Sequence, residues 1–123
     1  MPPLRTKESL RRGGAFAGYL KTAKGDRSVN VKELFSIEGK KAIVTGGGRG
    51  LCRSMAEALH EAGAEVLIIG RSERTLAEAA REIGAEGAPA LYEAGDLGEL
   101  DKIEPLYERA LAKLGGRLDI LVN

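Results

Sequence analysis

The sequence predicts an α/β fold in which helices cover both faces of a parallel β-sheet. Short apolar segments rich in β-branched residues alternate with longer segments whose apolar residues recur every three to four positions. The first pattern is typical of strands buried on both faces, and the second is typical of amphipathic helices. Regular alternation of the two indicates parallel strands joined by right-handed crossovers.

Four strands are predicted in chain order. The segments "KAIVT" and "EVLII" are continuous β-branched runs and predict the first two strands, whereas "APALYEA" is a weaker third. The segment "LDILV" predicts a fourth strand, which is followed only by Asn123. We therefore expect a sheet truncated after its fourth strand, as in the front part of a longer protein.

The first two helices are predicted from their apolar stripes and their terminal residues. Ser72 is the candidate N-cap of the second helix, "SERTLAEAAREIG", and Gly84 its stop. The first helix, "GLCRSMAEALHEAG", should end at Gly63. The predicted inner faces are Leu51, Met55, Ala58, Leu59 and Ala62 in the first helix, and Leu76, Ala79, Ala80 and Ile83 in the second.

A third helix is predicted within "ELDKIEPLYERALAKLGG". Because proline lacks an N–H and its ring clashes with the preceding turn, we expect the main helix to start near Glu104, with Pro105 at its first position. The predicted apolar stripe is Leu100, Ile103, Leu106, Ala110, Leu111 and Leu114.

Residues 1–34 differ from the rest of the chain. They carry eight Lys or Arg against three acidic residues, whereas the remainder carries eleven basic and fifteen acidic residues. Scattered glycines and the lack of a lasting apolar period predict a basic, disordered N-terminal extension. The alternatives are an organelle transit segment or a basic arm for an acidic partner. Residues 35–123 would form the folded domain.

Composition excludes several protein classes. The chain has 43% hydrophobic and 30% charged residues and contains no apolar run of the roughly 20 residues that a membrane helix needs. One Cys excludes an internal disulfide framework, and one His with one Cys argues against a zinc site. We expect a cytoplasmic protein with neither a membrane nor a nucleic-acid partner, and organelle targeting is the alternative.

A glycine-rich segment, "TGGGRGLC", joins the first predicted strand to the first helix, which is the context that a dinucleotide site requires. Gly46 would let the chain turn sharply, and Gly50 would let the backbone approach a pyrophosphate. The N–H groups and dipole of the helix starting near Leu51 would favour the anion. No Gly-Lys-Ser/Thr follows, so a Walker-type loop is excluded. The alternative is a plain strand-to-helix turn.

Three motifs resemble the short-chain dehydrogenase/reductase family: "TGGGRGLC" at 45–52, "GDL" at 95–97 and the terminal "LDILVN". That family carries Thr-Gly-x-x-x-Gly-x-Gly after the first strand, an Asp after the third and Asn-Asn-Ala-Gly after the fourth. The resemblance covers residues 35–123. It implies a Rossmann-type doubly wound sheet that binds NAD(P), and hydride transfer between a nicotinamide and an alcohol or ketone.

The resemblance also implies which residues bind the cofactor. Asp96, with Leu97 beside it, would accept a hydrogen bond from the adenine amino group, unless it only caps the next turn. Asn123 would be the first Asn of the last motif, near the adenosine ribose, unless it is an ordinary strand end. The pyrophosphate turn would comprise Gly46, Gly48, Arg49, Gly50 and Leu51.

The end of the second strand bears on the choice between NADP and NAD. NAD-preferring sites place an acid about 20 residues past the glycines, where this chain has Gly70 and Arg71, followed by Ser72. A guanidinium can pair with a 2′-phosphate through its forked donors, and Arg49 adds a second cation. NADP(H) is therefore favoured, with NAD possible because Glu73 is nearby. The alternative is that both arginines are solvated surface charges.

Cys52 departs from the family pattern, which has glycine there. Glycine allows close packing between helix and strand, so the added sulfur could loosen that contact or narrow the site. A redox-sensitive thiol is a second interpretation, and a tolerated substitution is a third. The substitution bears on cofactor affinity rather than on the fold.

The family's catalytic residues have no counterpart in this sequence. The family uses a Ser and a Tyr-x-x-x-Lys pair beyond the fourth strand, whereas Tyr19, Tyr92 and Tyr107 are each followed four positions later by a residue other than Lys. No catalytic residue is assigned, and we expect the chain alone to be inactive. A full-length protein would be a homo-oligomer acting on a small alcohol or ketone. The alternative is a non-catalytic nucleotide-binding module or a degenerate remnant.

The resemblance also indicates a substrate class. The phrases "FSIEGK" and "DLGELDKIEPL" are similar to those of dehydrogenases acting on gluconate or deoxygluconate. Similar phrases occur in 3-oxoacyl carrier-protein reductases, so both substrate classes stay open.

Overall fold

The computed structural model describes residues 30–85 and 87–123. The described residues belong to two separate units, one that ends at Ser36 and one that begins at Ile37. The elements are α1 (Val31–Phe35), β1 (Lys41–Thr45), α2 (Gly50–Glu61), β2 (Glu65–Gly70), α3 (Glu73–Ile83), β3 (Leu91–Ala94), α4 (Leu100–Lys113) and β4 (Ile120–Val122).

Helix α1 is the described part of the first unit. A capping box begins it: the Asn30 side chain accepts a hydrogen bond from the Glu33 N–H at 3.0 Å, and the Glu33 carboxylate accepts one from the Asn30 N–H at 3.2 Å. The helix lies across the boundary at residue 35 that the sequence predicts. The first 29 residues of the predicted extension lie outside the described residues.

The second unit is built on a four-stranded sheet with the order β3-β2-β1-β4, and all its pairings are parallel. β1 lies at the centre, where Ala42 is paired with Val66 on one side and with Ile120 on the other. The chain first builds outward from β1 to β3 and then returns to place β4 on the opposite side. This is a Rossmann-like α/β arrangement, and it confirms the predicted fold class.

The helices cover both faces of the sheet. Helices α2 and α3 pack on one face, against Ala42, Val44, Val66 and Ile68. Helix α4 packs on the other face, where Leu106, Ala110 and Leu114 meet Ile43, Leu67 and Ile69. The predicted inner stripe of α3 is confirmed, since Leu76, Ala79, Ala80 and Ile83 are all buried.

The predicted inner face of α2 is wrong except at Leu59, which packs against the core. Leu51 is 72% exposed and Met55 is 39% exposed, and Ala58 and Ala62 are exposed as well. The sheet instead meets Ala56, which is fully buried, flanked by Cys52 and Leu59. These three residues also recur at helical spacing, and the small side chains allow a closer approach between helix and sheet than leucine or methionine would.

The predicted start of α4 is also wrong. The helix begins at Leu100, so Pro105 lies inside it. Within the predicted stripe, Leu106, Ala110 and Leu114 are buried, Ile103 and Leu111 are half-buried, and Leu100 is 83% exposed. A proline this close to the N-terminus forfeits only the bond to the carbonyl four residues back, which here belongs to Asp101 in the first turn.

Among the described residues, no helix has the length and apolar character needed to cross a membrane.

Candidate functional site

The glycine-rich loop between β1 and α2 adopts the backbone geometry that its sequence predicts. Gly46 has φ of 67° and Gly50 has φ of 66°, a left-handed conformation that side chains rarely adopt. Gly46 turns the chain out of β1, and Gly50 starts α2. Arg49 occupies the N-cap position of α2. Its backbone is extended, and its side chain makes no capping hydrogen bond.

The loop presents a row of free backbone donors. The Gly46 N–H is used, because it continues the sheet by donating to the Ile69 carbonyl at 2.8 Å. Residues 46–48 form a turn, but no N–H group of residues 47–52 makes a well-formed hydrogen bond within the described ranges. Free N–H groups that converge at a helix N-terminus carry partial positive charge. The loop is therefore a cradle suited to an anion such as a pyrophosphate.

A cleft of about 660 Å³ opens beside this loop, at the carboxyl ends of β1, β2 and β3. Parallel α/β sheets bind ligands at the carboxyl ends of their strands. The cleft brings together seven of the ten residues that the sequence predicts for the site: Gly46, Gly48, Arg49, Arg71, Ser72, Asp96 and Leu97.

The cleft carries two unneutralised cations. Arg49 and Arg71 both line it, and both are exposed. In contrast to Arg53 and Arg74, neither forms an ion pair with any residue that the structure describes. The neighbouring acid Glu73 is not among the lining residues. The end of the cleft beside β2 is therefore positive.

Gly70, at the end of β2, lies close to the side chain of Leu76. A Cβ placed on Gly70 would lie 3.1 Å from Cδ2 of Leu76. Leu76 is itself buried in the core. A side chain at position 70 would therefore require Leu76 to shift by a few tenths of an ångström, whereas glycine leaves this end of the cleft uncharged.

Asp96 caps the turn that follows β3 and also lines the cleft. Its Oδ1 accepts a hydrogen bond from the Gly98 N–H at 2.9 Å, which caps the turn before α4. The residue also lines the cleft together with Leu97, which is 38% exposed.

Three predicted residues lie outside the lining of the cleft. Gly50 and Leu51 form the first turn of α2, and the Leu51 side chain points into open space. Asn123 follows β4, where its Oδ1 accepts a hydrogen bond from the Thr45 hydroxyl at 2.9 Å. Asn123 is thus attached to the start of the glycine-rich loop rather than placed in the cleft.

The sulfur of Cys52 turns toward the core. Cys52 is half-buried and packs on the α2 side of the sheet. A Cβ placed on Gly46 would be 3.9 Å from both Cβ and Sγ of Cys52, an ordinary van der Waals distance. Cys52 does not line the cleft. The substitution therefore fills the space beneath the loop and leaves the cleft open.

Five lining residues were not among the predicted site residues, although Gly70 and Gly95 stood in the motifs considered: Ile69, Gly70, Thr75, Leu76 and Gly95. Three of them could have been found from sequence neighbours. Gly70 and Gly95 end or follow strands, and the Gly95 N–H donates to the Gly70 carbonyl at 2.8 Å. Thr75 stands three residues after the N-cap Ser72, at the position whose N–H the cap binds. Ile69 and Leu76 read as core residues in the sequence, and nothing marked them as cleft residues.

Comparison with known proteins places this site in a family. Residues 40–123 match the family model described as short chain dehydrogenase. The chain is 42% identical over 93 residues to the 2-dehydro-3-deoxy-D-gluconate 5-dehydrogenase of Escherichia coli (strain K12), covering 76% of this chain and 36% of that protein. It spans about a third of the length of the curated relatives it matches.

Solved structures show the same fold. One is the 3-ketoacyl-(acyl-carrier-protein) reductase from Brucella melitensis complexed with NADH, with a TM-score of 0.62, 37% identity, and coverage of 70% of this chain and 34% of that one. Another is the L-sorbose reductase from Gluconobacter frateurii complexed with NADPH and L-sorbose, with a TM-score of 0.66, 31% identity, and coverage of 72% and 34%. The chain thus belongs to the short-chain dehydrogenase family.

Proposed function

We propose that this chain is the nucleotide-binding part of an NADP(H)-dependent oxidoreductase. The observation that carries the proposal is the pairing of a free N–H cradle with two unpaired arginines in one cleft. The relatives support a dinucleotide, since NADH and NADPH occupy the two solved neighbours. They leave the choice between the two open, so that choice rests on this chain's own residues.

The residues present fit a dinucleotide that carries a 2′-phosphate. The free N–H groups of residues 47–52 would hold the pyrophosphate, and Asp96 with Leu97 would hold the adenine. Arg49, Arg71 and Ser72 would hold the 2′-phosphate, because forked guanidinium donors match phosphate oxygens and no carboxylate stands at position 70 to repel them. Asn123, fixed by Thr45, would lie on the side of the loop toward β4.

When bound, NADP(H) supplies a hydride donor or acceptor at its nicotinamide ring. The chain's own residues hold and orient the nucleotide, and none is assigned to proton transfer. We propose that the substrate is a small alcohol or ketone of the sugar-acid type. The E. coli relative, whose name denotes a deoxygluconate dehydrogenase, supports this class.

A titration of the purified chain with NADPH and with NADH tests the proposal. We expect the Kd for NADPH to be at least about tenfold lower, since a phosphate held by charged donors contributes more than 1 kcal/mol. Arg71→Gln should bring the two Kd values within about threefold of each other, mainly by weakening NADPH. Equal Kd values for the wild type, or no binding of either nucleotide, would refute the proposal.

Arg74→Gln is the matched control. Arg74 stands three residues from Arg71 and is also exposed, but it pairs with Glu78 and does not line the cleft. This variant removes one positive charge from the same region, so it measures the non-specific effect of net charge. We expect it to leave the ratio of the two Kd values unchanged.

A non-catalytic nucleotide-binding module is the second candidate. Both candidates predict nucleotide binding, but they differ in turnover by the gene's complete product. NADP⁺-dependent oxidation of gluconate or deoxygluconate by that product would establish the enzyme, and nucleotide binding without turnover on alcohols and sugar acids would favour the module.

A further inference from the structure

The Ser72 hydroxyl is held as a hydrogen-bond acceptor from two sides. The Thr75 N–H donates to Ser72 Oγ at 3.3 Å, which caps α3. The Thr75 hydroxyl also donates to Ser72 Oγ, at 3.1 Å. A serine hydroxyl has two acceptor sites and one proton. With both acceptor sites used, the remaining capacity of Ser72 Oγ is to donate.

This donor stands in a positive part of the cleft. Ser72 lines the cleft next to Arg71, and Arg49 lines it from the glycine-rich loop. Ser72 is exposed, so its proton has no need of a protein acceptor. An oriented O–H donor beside two guanidinium groups suits a group that offers only acceptor oxygens, such as a phosphate monoester.

Thr75 contacts both Ser72 and the glycine-rich loop. Its hydroxyl is bonded to Ser72, and its Cγ2 would be 3.5 Å from a Cβ placed on Gly48, so its methyl group faces the glycine-rich loop. Thr75 is half-buried and lines the cleft as well. The hydroxyl of Thr75 thus binds Ser72 while its methyl group packs toward the loop, and different substitutions can remove one or the other.

We propose that Thr75 is a positioning residue for selection of the 2′-phosphate: by donating to Ser72 Oγ, it turns the Ser72 proton toward the cleft. This inference rests on the proposed function, because it assumes that NADP(H) occupies the cleft. Without the Thr75 hydroxyl, Ser72 regains an open acceptor site and its proton is free to rotate. Part of the directed donation to the phosphate is then lost, while the arginines and the N–H cradle stay in place.

Two substitutions separate the hydroxyl from the methyl group. Thr75→Val keeps the shape and the β-branch but removes the hydroxyl, and Thr75→Ser keeps the hydroxyl but removes the methyl group. Each purified variant is titrated with NADPH and with NADH, and 2′-AMP and 5′-AMP serve as small competitors. Thermal unfolding of each variant shows whether the fold is retained.

We expect Thr75→Val to raise the Kd for NADPH and for 2′-AMP by about three- to tenfold, the range of one ordinary hydrogen bond, and to leave NADH and 5′-AMP within about twofold. Thr75→Ser should keep the wild-type preference. An equal rise for both nucleotides, or the same loss in Thr75→Ser, would mean that Thr75 only supports the fold and would overturn the inference. A wild type without NADPH preference refutes the proposed function itself, whereas a preference that Thr75→Val retains refutes only this inference.

Discussion

At the scale of single residues, a side chain at position 47 would collide with the sheet. A Cβ on Gly47 would lie 2.5 Å from Cγ2 and 2.8 Å from Cβ of Ile68. Ile68 is fully buried in β2, so it has little room to move away. Gly47 therefore lets the glycine-rich loop lie close to β2, which keeps the loop beside the cleft.

Gly47→Ala should reduce the free energy of unfolding by about 1–3 kcal/mol, the usual cost of overpacking a well-packed site. Urea unfolding of both proteins measures the difference. Gly87→Ala is the control, because a Cβ at Gly87 meets no atom within 4 Å and its φ is not in the left-handed region. Equal stability of Gly47→Ala and Gly87→Ala would show that Ile68 can adjust.

Some single-residue predictions needed only local information. The Ser72 cap and the turn at Gly46 follow from residue type and position, and the structure has both. The crowding at Gly47 depends on Ile68, which lies in the next strand, and the crowding at Gly70 depends on Leu76, which lies in the following helix. Those constraints arise only once the elements have packed, so the sequence pattern does not contain them.

At the scale of elements, Glu93 fastens β3 to α4. Its carboxylate binds Arg109 Nε at 2.7 Å and Lys113 Nζ at 2.7 Å, and its side chain is only 12% exposed. Burial alone would raise the pKa of Glu93, but the hydrogen bonds from Lys113 and Arg109 outweigh it and hold the pKa below its ordinary value of 4.5. Lys113 also donates to the Tyr92 carbonyl at 2.7 Å.

The lowered pKa of Glu93 predicts a loss of stability in acid. Because the pKa is lower in the folded state, the stabilisation is complete above the unfolded value near 4.5 and is lost as the pH falls through the folded value. Glu93→Gln should cost about 1–2 kcal/mol at neutral pH, the scale of charged hydrogen bonds.

Urea unfolding of the wild type and of Glu93→Gln between pH 3 and pH 7 measures this effect. The difference between the two proteins should shrink toward the acid end. The pKa of Asp119 is also lowered, chiefly by the hydrogen bond from the Lys41 N–H. Because Asp119 is present in both proteins, its contribution to the pH dependence cancels in the difference. A pH-independent difference would exclude the ionised carboxylate as the source.

Helix α2 shows why the buried face of a helix can be mispredicted. Two stripes fit the helical period: the larger one contains Leu51 and Met55, and the smaller one contains Cys52 and Ala56. Hydrophobicity favours the larger side chains, but the distance between helix and sheet is set by the smallest. Helix α3 offered only one apolar stripe, so its buried face was predicted correctly.

Substitutions on the two stripes of α2 should therefore differ in how much they lower the free energy of unfolding. Ala56→Leu should destabilise the fold by about 1–3 kcal/mol, because Ala56 is fully buried against the sheet. Met55→Gln, one residue earlier and partly exposed, should stay within about 0.5 kcal/mol. Thermal unfolding compares the two variants. The reverse order of stabilities would indicate that the stripe containing Leu51 and Met55 is the buried one.

At the scale of the whole molecule, the site exists because three strands end together. Residues 46–49, 70–72 and 95–97 are far apart in sequence and meet at one edge of the sheet. The alternation of strands and helices predicted a parallel sheet, but the order β3-β2-β1-β4 is a long-range property that periodicity does not contain. The family resemblance implied a doubly wound sheet, and the structure gives the order of its strands.

The β4 edge of this sheet is open in the part of the chain that the structure describes. β4 pairs with β1 alone, and its Leu121 is 59% exposed. An apolar edge strand offers unpaired backbone groups to another chain. We therefore expect the molar mass of the chain, measured by light scattering, to rise with concentration.

Leu121→Lys should suppress that rise, because a charged side chain opposes edge-to-edge pairing. Leu100→Lys is the comparison: Leu100 is more exposed but lies on α4, where the helix satisfies most of the backbone. Equal suppression by both variants would point to general stickiness rather than to pairing at the strand edge.

The central place of β1 has a consequence for how the protein is made. β1 is among the first elements of the chain, yet one of its two neighbours is β4, and Lys41 and Thr45 bond to residues 78 positions later. On the ribosome, β1 can pair with β2 early, but its other edge stays open until synthesis reaches β4. Translation speed and chaperone access during that interval should therefore govern the yield of folded protein.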